Sequence, residues 1–184
     1  MQRIDPRLAP ALHEELARRR GESGPVLPGP AAHVVLAGHR AAGKSWLLPV
    51  VAEWFGRPAV DLDLSIKRQR RRSLREWVQT DEPGFRAAER EVFQQLAPGQ
   101  VVSVGGGFLS LHAALLAPHF TVVVPISFET YRERLTADTG RPRLRPELSL
   151  EEELKAIYTS REALHAAVPS HSLVELLLAL ASRR

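Results

Sequence analysis

Gly38-His39-Arg40-Ala41-Ala42-Gly43-Lys44-Ser45 spells G-x-x-x-x-G-K-S, and the chemistry this order serves is phosphate binding. Glycines let the backbone curl until successive N–H groups point at phosphate oxygens, and the positive end of a following helix adds to them. Lys44 then reaches the β- and γ-phosphates of a nucleotide, and the Ser45 hydroxyl ligates Mg²⁺. Gly38, Ala41, Ala42, Gly43, Lys44, Ser45 and Trp46 are the expected nucleotide-binding set. Ala41 stands where a glycine would leave the backbone freer to approach phosphate. Pro49 lies inside the helix that should follow the loop and removes one of its hydrogen bonds, so a local kink is expected near Ser45.

Asp61 and Asp63 flank Leu62 at the end of an apolar run. Along a strand their side chains would alternate, but a turn at the strand end can bring both to one crevice. One would complete the Mg²⁺ shell opposite Ser45 and the other face a substrate hydroxyl; the structural alternative is a helix N-cap and a turn residue. Arg86 and Glu89 lie three apart in Phe85-Arg86-Ala87-Ala88-Glu89. On sequence grounds they read first as an exposed ion pair, and otherwise as a carboxylate aiming a guanidinium at a substrate carboxylate. Gly105-Gly106-Gly107 follows another apolar run, where a strand's carboxyl end meets ligands in an open α/β sheet. Thr139-Gly140-Arg141-Pro142-Arg143-Leu144-Arg145-Pro146 is basic and broken by proline, the composition of an exposed segment able to close over a nucleotide.

The elements that must position these groups alternate along the chain. Short apolar strands are expected at 33–37, 59–62, 100–104 and 120–124. Helices are expected at 44–55, with Leu47, Val50, Val51 and Trp54 on one face, and near 84–96, 110–117, 127–137, 149–167 and 173–180. That alternation predicts an α/β domain with a buried parallel sheet. Leu8, Leu12 and Leu16 place a helix at 6–20, and Gly21 to Pro30 reads as a linker. The expected division is therefore 1–32, an N-terminal helix and Pro/Gly-rich linker, and 33–184, the phosphate-loop domain. The run Lys67 to Arg72 reads as a solvated helix face.

Composition narrows the function classes. The 184 residues contain no cysteine, which excludes disulfide scaffolds, thiol nucleophiles and Cys-ligated zinc. No apolar run approaches the roughly 20 residues a bilayer requires, and residues 1–10 lack the apolar core of a secretory signal, so a cytoplasmic address is expected. The net charge of +4, carried by 22 arginines and only three lysines, admits an anionic partner. The motifs make that partner a small molecule rather than nucleic acid or a membrane.

In order and spacing the motifs resemble the shikimate kinase family of small P-loop kinases, related to nucleoside monophosphate kinases. The resemblance covers Val34 to Val168: the phosphate loop, Asp61 and Asp63 as D-x-D, Phe85-Arg86 with Glu89 as F-R-x-x-E, the Gly105–Gly107 turn, Arg141-Pro142 as the lid, and Arg161-Glu162-Ala163-Leu164-His165 as R-x-P-L-Y. It implies a three-layer α/β/α fold with a central parallel sheet and a mobile lid around Asp138–Pro146. It also implies an ATP- and Mg²⁺-dependent kinase, expected to act as a monomer on the 3-hydroxyl of shikimate or a similar hydroxy-carboxylate. Carried over, Lys44, Asp63 and Arg141 are the catalytic residues, with Asp63 on the attacking hydroxyl. Ser45 and Asp61 organise the metal. Arg86 and Arg161 clamp the carboxylate, and Gly105, Gly106 and Gly107 lie against the ring hydroxyls. Ala163 and His165 depart from the family's Pro and Tyr, and after Val168 the chain leads almost directly into an apolar helix where the family has another strand. Two alternatives stay open at this point: a ligand-sensing domain that has lost turnover, and a kinase with a different acceptor.

Overall fold

The computed structural model describes residues 3–138 and 143–182. Its helices run α1 (Ala9–Arg18), α2 (Lys44–Phe55), α3 (Leu62–Arg70), α4 (Leu74–Thr80), α5 (Glu82–Gln94), α6 (Phe108–Leu111), α7 (Ala113–Leu116), α8 (Phe128–Thr136), α9 (Leu150–Ala167) and α10 (Leu173–Ala181). Four strands, β1 (Val34–Ala37), β2 (Ala59–Asp61), β3 (Val101–Ser103) and β4 (Phe120–Val123), form a parallel sheet in the order β2-β3-β1-β4. Val35 pairs with Val102 on one side and Thr121 on the other. Both β1 and β3 are buried along their whole length, as strands covered on two faces must be.

Alternation along β1 sends Val34 and Leu36 into one core and Val35 and Ala37 into the other. Helices α2, α8, α9 and α10 close the first core, and α3 to α7 close the second. The result is three layers. From β1 the chain crosses to the β2 edge, whereas from β3 it crosses to β4 on the opposite side. The loops leaving β1 and β3 therefore diverge, which opens a crevice at the carboxyl ends of these neighbouring strands. Among the described residues, no helix is long and apolar enough to cross a membrane.

Several elements differ from the sequence reading. The first helix is shorter than 6–20, beginning at Ala9 with Pro10 in its first turn. Helix α2 turns Leu47, Leu48, Val51 and Ala52 inward and leaves Trp54 44% exposed. It runs unbroken through Pro49. Strand β2 ends at Asp61, because that residue caps α3, and Leu62 already belongs to the helix. The expected helix at 110–117 is two short ones divided at His112. His171 forms a one-residue parallel bridge beside β4: its N–H donates to Thr121 O at 2.8 Å and its carbonyl accepts from Val123 N at 2.9 Å. A remnant of a fifth strand therefore precedes α10.

Residues 3–7 pack on the domain. Asp5 is fully buried, and its carboxylate accepts the Ser127 N–H at 2.7 Å, the Ser127 hydroxyl at 2.6 Å and the Thr130 hydroxyl at 2.7 Å at the start of α8.

Candidate active site

The loop from β1 to α2 takes its shape from three residues of positive φ, Gly38 at 120°, Ala41 at 62° and Gly43 at 94°. Glycine accepts this conformation freely, whereas for alanine it costs about 1 kcal/mol. Arg134 on α8 holds the strained turn, donating from one nitrogen to Ala41 O at 2.6 Å and to Arg3 O at 2.8 Å. Gly43 opens α2 with no side chain capping the helix, so the N–H groups of its first turn are available to an anion. Lys44 is buried, and its ammonium donates to Gly38 O at 2.8 Å and His39 O at 2.6 Å, leaving a third N–H for a phosphate. Burial lowers its pKa to about 8; Asp63 opposes that shift, and Arg161 and Arg40 add to it.

Ala41 to Ser45 line a cleft of about 530 Å³ together with Asp61, Asp63, Gly105 and Gly106. Gly38 stands behind it, against the Val124 carbonyl, where a Cβ would come within 2.7 Å. Trp46 packs on the core rather than lining the cleft.

Asp61 uses both its oxygens: Oδ1 accepts the Leu64 N–H at 3.1 Å as the cap of α3, and Oδ2 accepts the Ser45 hydroxyl at 3.0 Å. The capping and functional readings of this residue are therefore compatible. Two hard oxygens 3.0 Å apart also suit adjacent positions of an octahedral Mg²⁺ shell, whose neighbouring ligands lie about 2.9 Å apart. Asp63 lies in the first turn of α3, where the helix turns it toward the same crevice as Asp61. Its pKa is pushed up to about 6, first by burial and then by the Glu89 and Asp61 carboxylates, against the pull of Lys44 and Arg40. A carboxyl group poised there is ionised at neutral pH and able to take a proton.

Beyond Asp63 lies a smaller pocket of about 180 Å³ that shares Arg40, Asp63, Gly105 and Gly106 with the first and adds Phe85, Arg86, Gly107 and Arg161. Glu89 is only 1% exposed, so its bond from Arg86 Nη1 at 2.9 Å is a partly buried pair, correcting the surface reading. Arg161 reaches the pocket from α9. Arg86 and Arg161 converge on Gly107, where a Cβ would meet Arg161 Nη2 at 3.3 Å and Arg86 Nη1 at 3.4 Å. Arg86 is neutralised by Glu82 and Glu89, whereas Arg161 Nη1 is buried with no hydrogen-bond partner among the described residues. Burial lowers the Arg161 pKa, and the Arg86 charge adds to that shift. Such a guanidinium fits an incoming anion.

None of the three consecutive glycines has positive φ. They are glycines because the backbone passes close to other groups: a Cβ on Gly106 would lie 2.7 Å from Arg40 N. The structure thus brings Lys44, Ser45, Asp61, Asp63, Arg86, Arg161 and the glycine turn around one two-chambered crevice. Arg141 lies in Thr139–Pro142, outside the described residues. The sequence reading missed Arg40, which lines both chambers, and Arg134, whose only signal was its place near the end of a helix.

Comparison with known proteins bears on what such a crevice serves. The sequence profile of the shikimate kinase family matches residues 40–175. A shikimate kinase of Thermobifida fusca is 33% identical over 149 residues, covering 75% of this chain and 86% of that protein. Among solved structures, the shikimate kinase of Acinetobacter baumannii in complex with shikimate superposes with a TM-score of 0.70 at 22% identity, covering 91% of this chain and 95% of its own. That of Aquifex aeolicus gives 0.67 at 23% identity, over 82% of this chain and 97% of its own. With a profile match spanning most of its length and a fold shared almost end to end, the chain belongs to the shikimate kinase family.

Proposed function

We propose that the chain transfers the γ-phosphoryl group of ATP to the 3-hydroxyl of shikimate. The observation that carries this reading is Arg161 Nη1, buried and without a hydrogen-bond partner among the described residues, on a side chain that lines the same small chamber as Arg86 and Asp63. A small hydroxy acid seated there puts its carboxylate on the two arginines and a ring hydroxyl on Asp63. The relatives' names and the shikimate bound to the Acinetobacter protein support the same acceptor.

In this reading the first turn of α2 and Lys44 bind the β- and γ-phosphates, while Ser45 and Asp61 hold Mg²⁺. The ion supplies charge neutralisation of the phosphates. Asp63 orients the attacking hydroxyl and accepts its proton, and the Gly105–Gly107 backbone lies against the remaining hydroxyls. Arg141 is assigned to the transferring phosphoryl on sequence grounds alone. Catalysis of this kind is positioning and electrostatics, which a rigid crevice provides. All the residues named come from one chain, so a monomer suffices, and the cytoplasm, with its ATP, is the fitting compartment.

Steady-state kinetics on the clamp test the acceptor. Arg161→Ala should raise the KM for shikimate by roughly 10–100-fold, because it removes a charged hydrogen bond in a buried site. The KM for ATP should change little. An acceptor with the carboxylate replaced by a neutral group should lose most of that sensitivity; equal losses on both acceptors would show the clamp to be misassigned.

A further inference from the structure

Outside the residues that line the two chambers lie His39, Glu162 and His165. We propose that they form a second cation site, for a transition-metal dication of the zinc class, distinct from the Mg²⁺ position at Ser45 and Asp61. Glu162 and His165 stand three apart on α9, so the carboxylate and the imidazole share one helix face, and His39 meets them from the loop. His39 Nε2 is 2.7 Å from Glu162 Oε1, and the two imidazole rings are 4.8 Å apart between centroids. One donor atom from each residue falls within 4.8 Å of the other two. Tetrahedral zinc wants such donors about 3.3 Å apart, a spacing that modest side-chain rotation reaches.

The donor set needs a partner. His39 and His165 are 2% and 6% exposed, yet His39 Nδ1 and both ring nitrogens of His165 have no hydrogen-bond partner among the described residues. A buried nitrogen left in that state is unfavourable, and coordination would satisfy one of the two at His165. Both rings are held in the neutral, ligating form, His39 at a pKa of about 3 and His165 of about 4, in each case chiefly by burial. Stacking on Tyr158 at 4.4 Å fixes the His39 ring. Tyr158 itself stays protonated, since burial pushes its pKa to about 12, so it is no ligand. Two nitrogens and one carboxylate oxygen suit zinc rather than Mg²⁺, which takes oxygens. Lys44 and Arg161 lie close enough to disfavour positive charge at His39 and at His165, so the site binds more weakly than a structural zinc centre. Bound metal would tie the first turn of the phosphate loop, whose His39 carbonyl holds Lys44, to the helix that carries Arg161.

The test uses chelator-treated full-length protein titrated with Zn²⁺ by calorimetry and thermal melting, with Mg²⁺ as the control and Co²⁺ as a spectroscopic probe. One Zn²⁺ per chain should bind and raise the Tm, Mg²⁺ should not compete, and Co²⁺ should show the intense visible bands of a four-coordinate site. Glu162→Gln, an exposed and shape-preserving change, and His165→Phe should each weaken Zn²⁺ binding at least tenfold. If His165→Phe does not fold, Glu162→Gln decides alone. Absence of saturable one-to-one binding, or equal binding by the wild type and Glu162→Gln, would overturn the proposal and assign any uptake to other histidines.

Discussion

Asp63 carries two opposed demands in one side chain. Burial and the neighbouring Glu89 and Asp61 raise its pKa to about 6, which places a proton acceptor near working pH. The sign for activity follows: turnover should fall as the pH drops through about 6, because the protonated carboxyl cannot accept a proton, and the kcat/KM profile should show that acid limb. Asp63→Asn should remove the limb and lower kcat roughly 10²–10⁴-fold, with a much smaller effect on ATP binding. Stability runs the other way. A carboxyl whose pKa is higher folded than unfolded favours the fold most below its unfolded value, and that support is lost as the pH rises through about 6. Asp63→Asn should therefore melt a few degrees above the wild type at pH 8, with the gap closing by pH 4, a trade of stability for activity. A lower melting point at pH 8 would show that the carboxylate stabilises the fold. The motif put Asp63 at a strand end, whereas it lies in the first turn of the helix that follows, and no sequence pattern carried its burial or its neighbour Glu89. Those arise only when α5 packs on α3.

Among the elements, the phosphate loop shows how far local code reaches. Its glycines, lysine and serine announce a strand–turn–helix, because each residue acts on backbone within a few positions of itself. What holds the loop is not local. The left-handed Ala41 is tied by Arg134 of α8, whose N-cap Ser127 is held in turn by Asp5. Hydrogen bonds from Ser127, Thr130 and the Arg7 N–H outweigh burial and bring the Asp5 carboxyl down to about 2. Its contribution is thus complete above the unfolded carboxyl range and lost as the pH falls toward 2. Asp5→Ala should destabilise the protein by about 2 kcal/mol at pH 7, or roughly 4–8 °C in Tm, and the difference should narrow in acid. An unchanged melting point would mean that residues 3–7 are not fastened to α8. The sequence shows Asp5 merely as a polar residue ahead of a helix. Trp54 misleads for a similar reason: helical spacing gives a stripe, while packing against the sheet keeps Leu47 and Val51 and adds Leu48 and Ala52 in place of Trp54.

For the whole molecule, a parallel sheet buried between helices was legible because short apolar strands alternate with helices, and such a chain has few ways to bury both faces of a sheet. The strand order β2-β3-β1-β4 was not, since no single residue encodes it. The same holds for the convergence of Arg86 and Arg161, which lie on α5 and α9, far apart in sequence, and meet at Gly107. That order places the two divergent loops beside one crevice, and the crevice joins a phosphate cradle to an anion-seeking chamber. The most direct test is to incubate the purified full-length protein with ATP, Mg²⁺ and shikimate and follow the reaction by ³¹P NMR. A phosphomonoester on the 3-hydroxyl of shikimate, formed in step with ADP, is the predicted result. Tight ATP binding with no phosphorylated shikimate would contradict it.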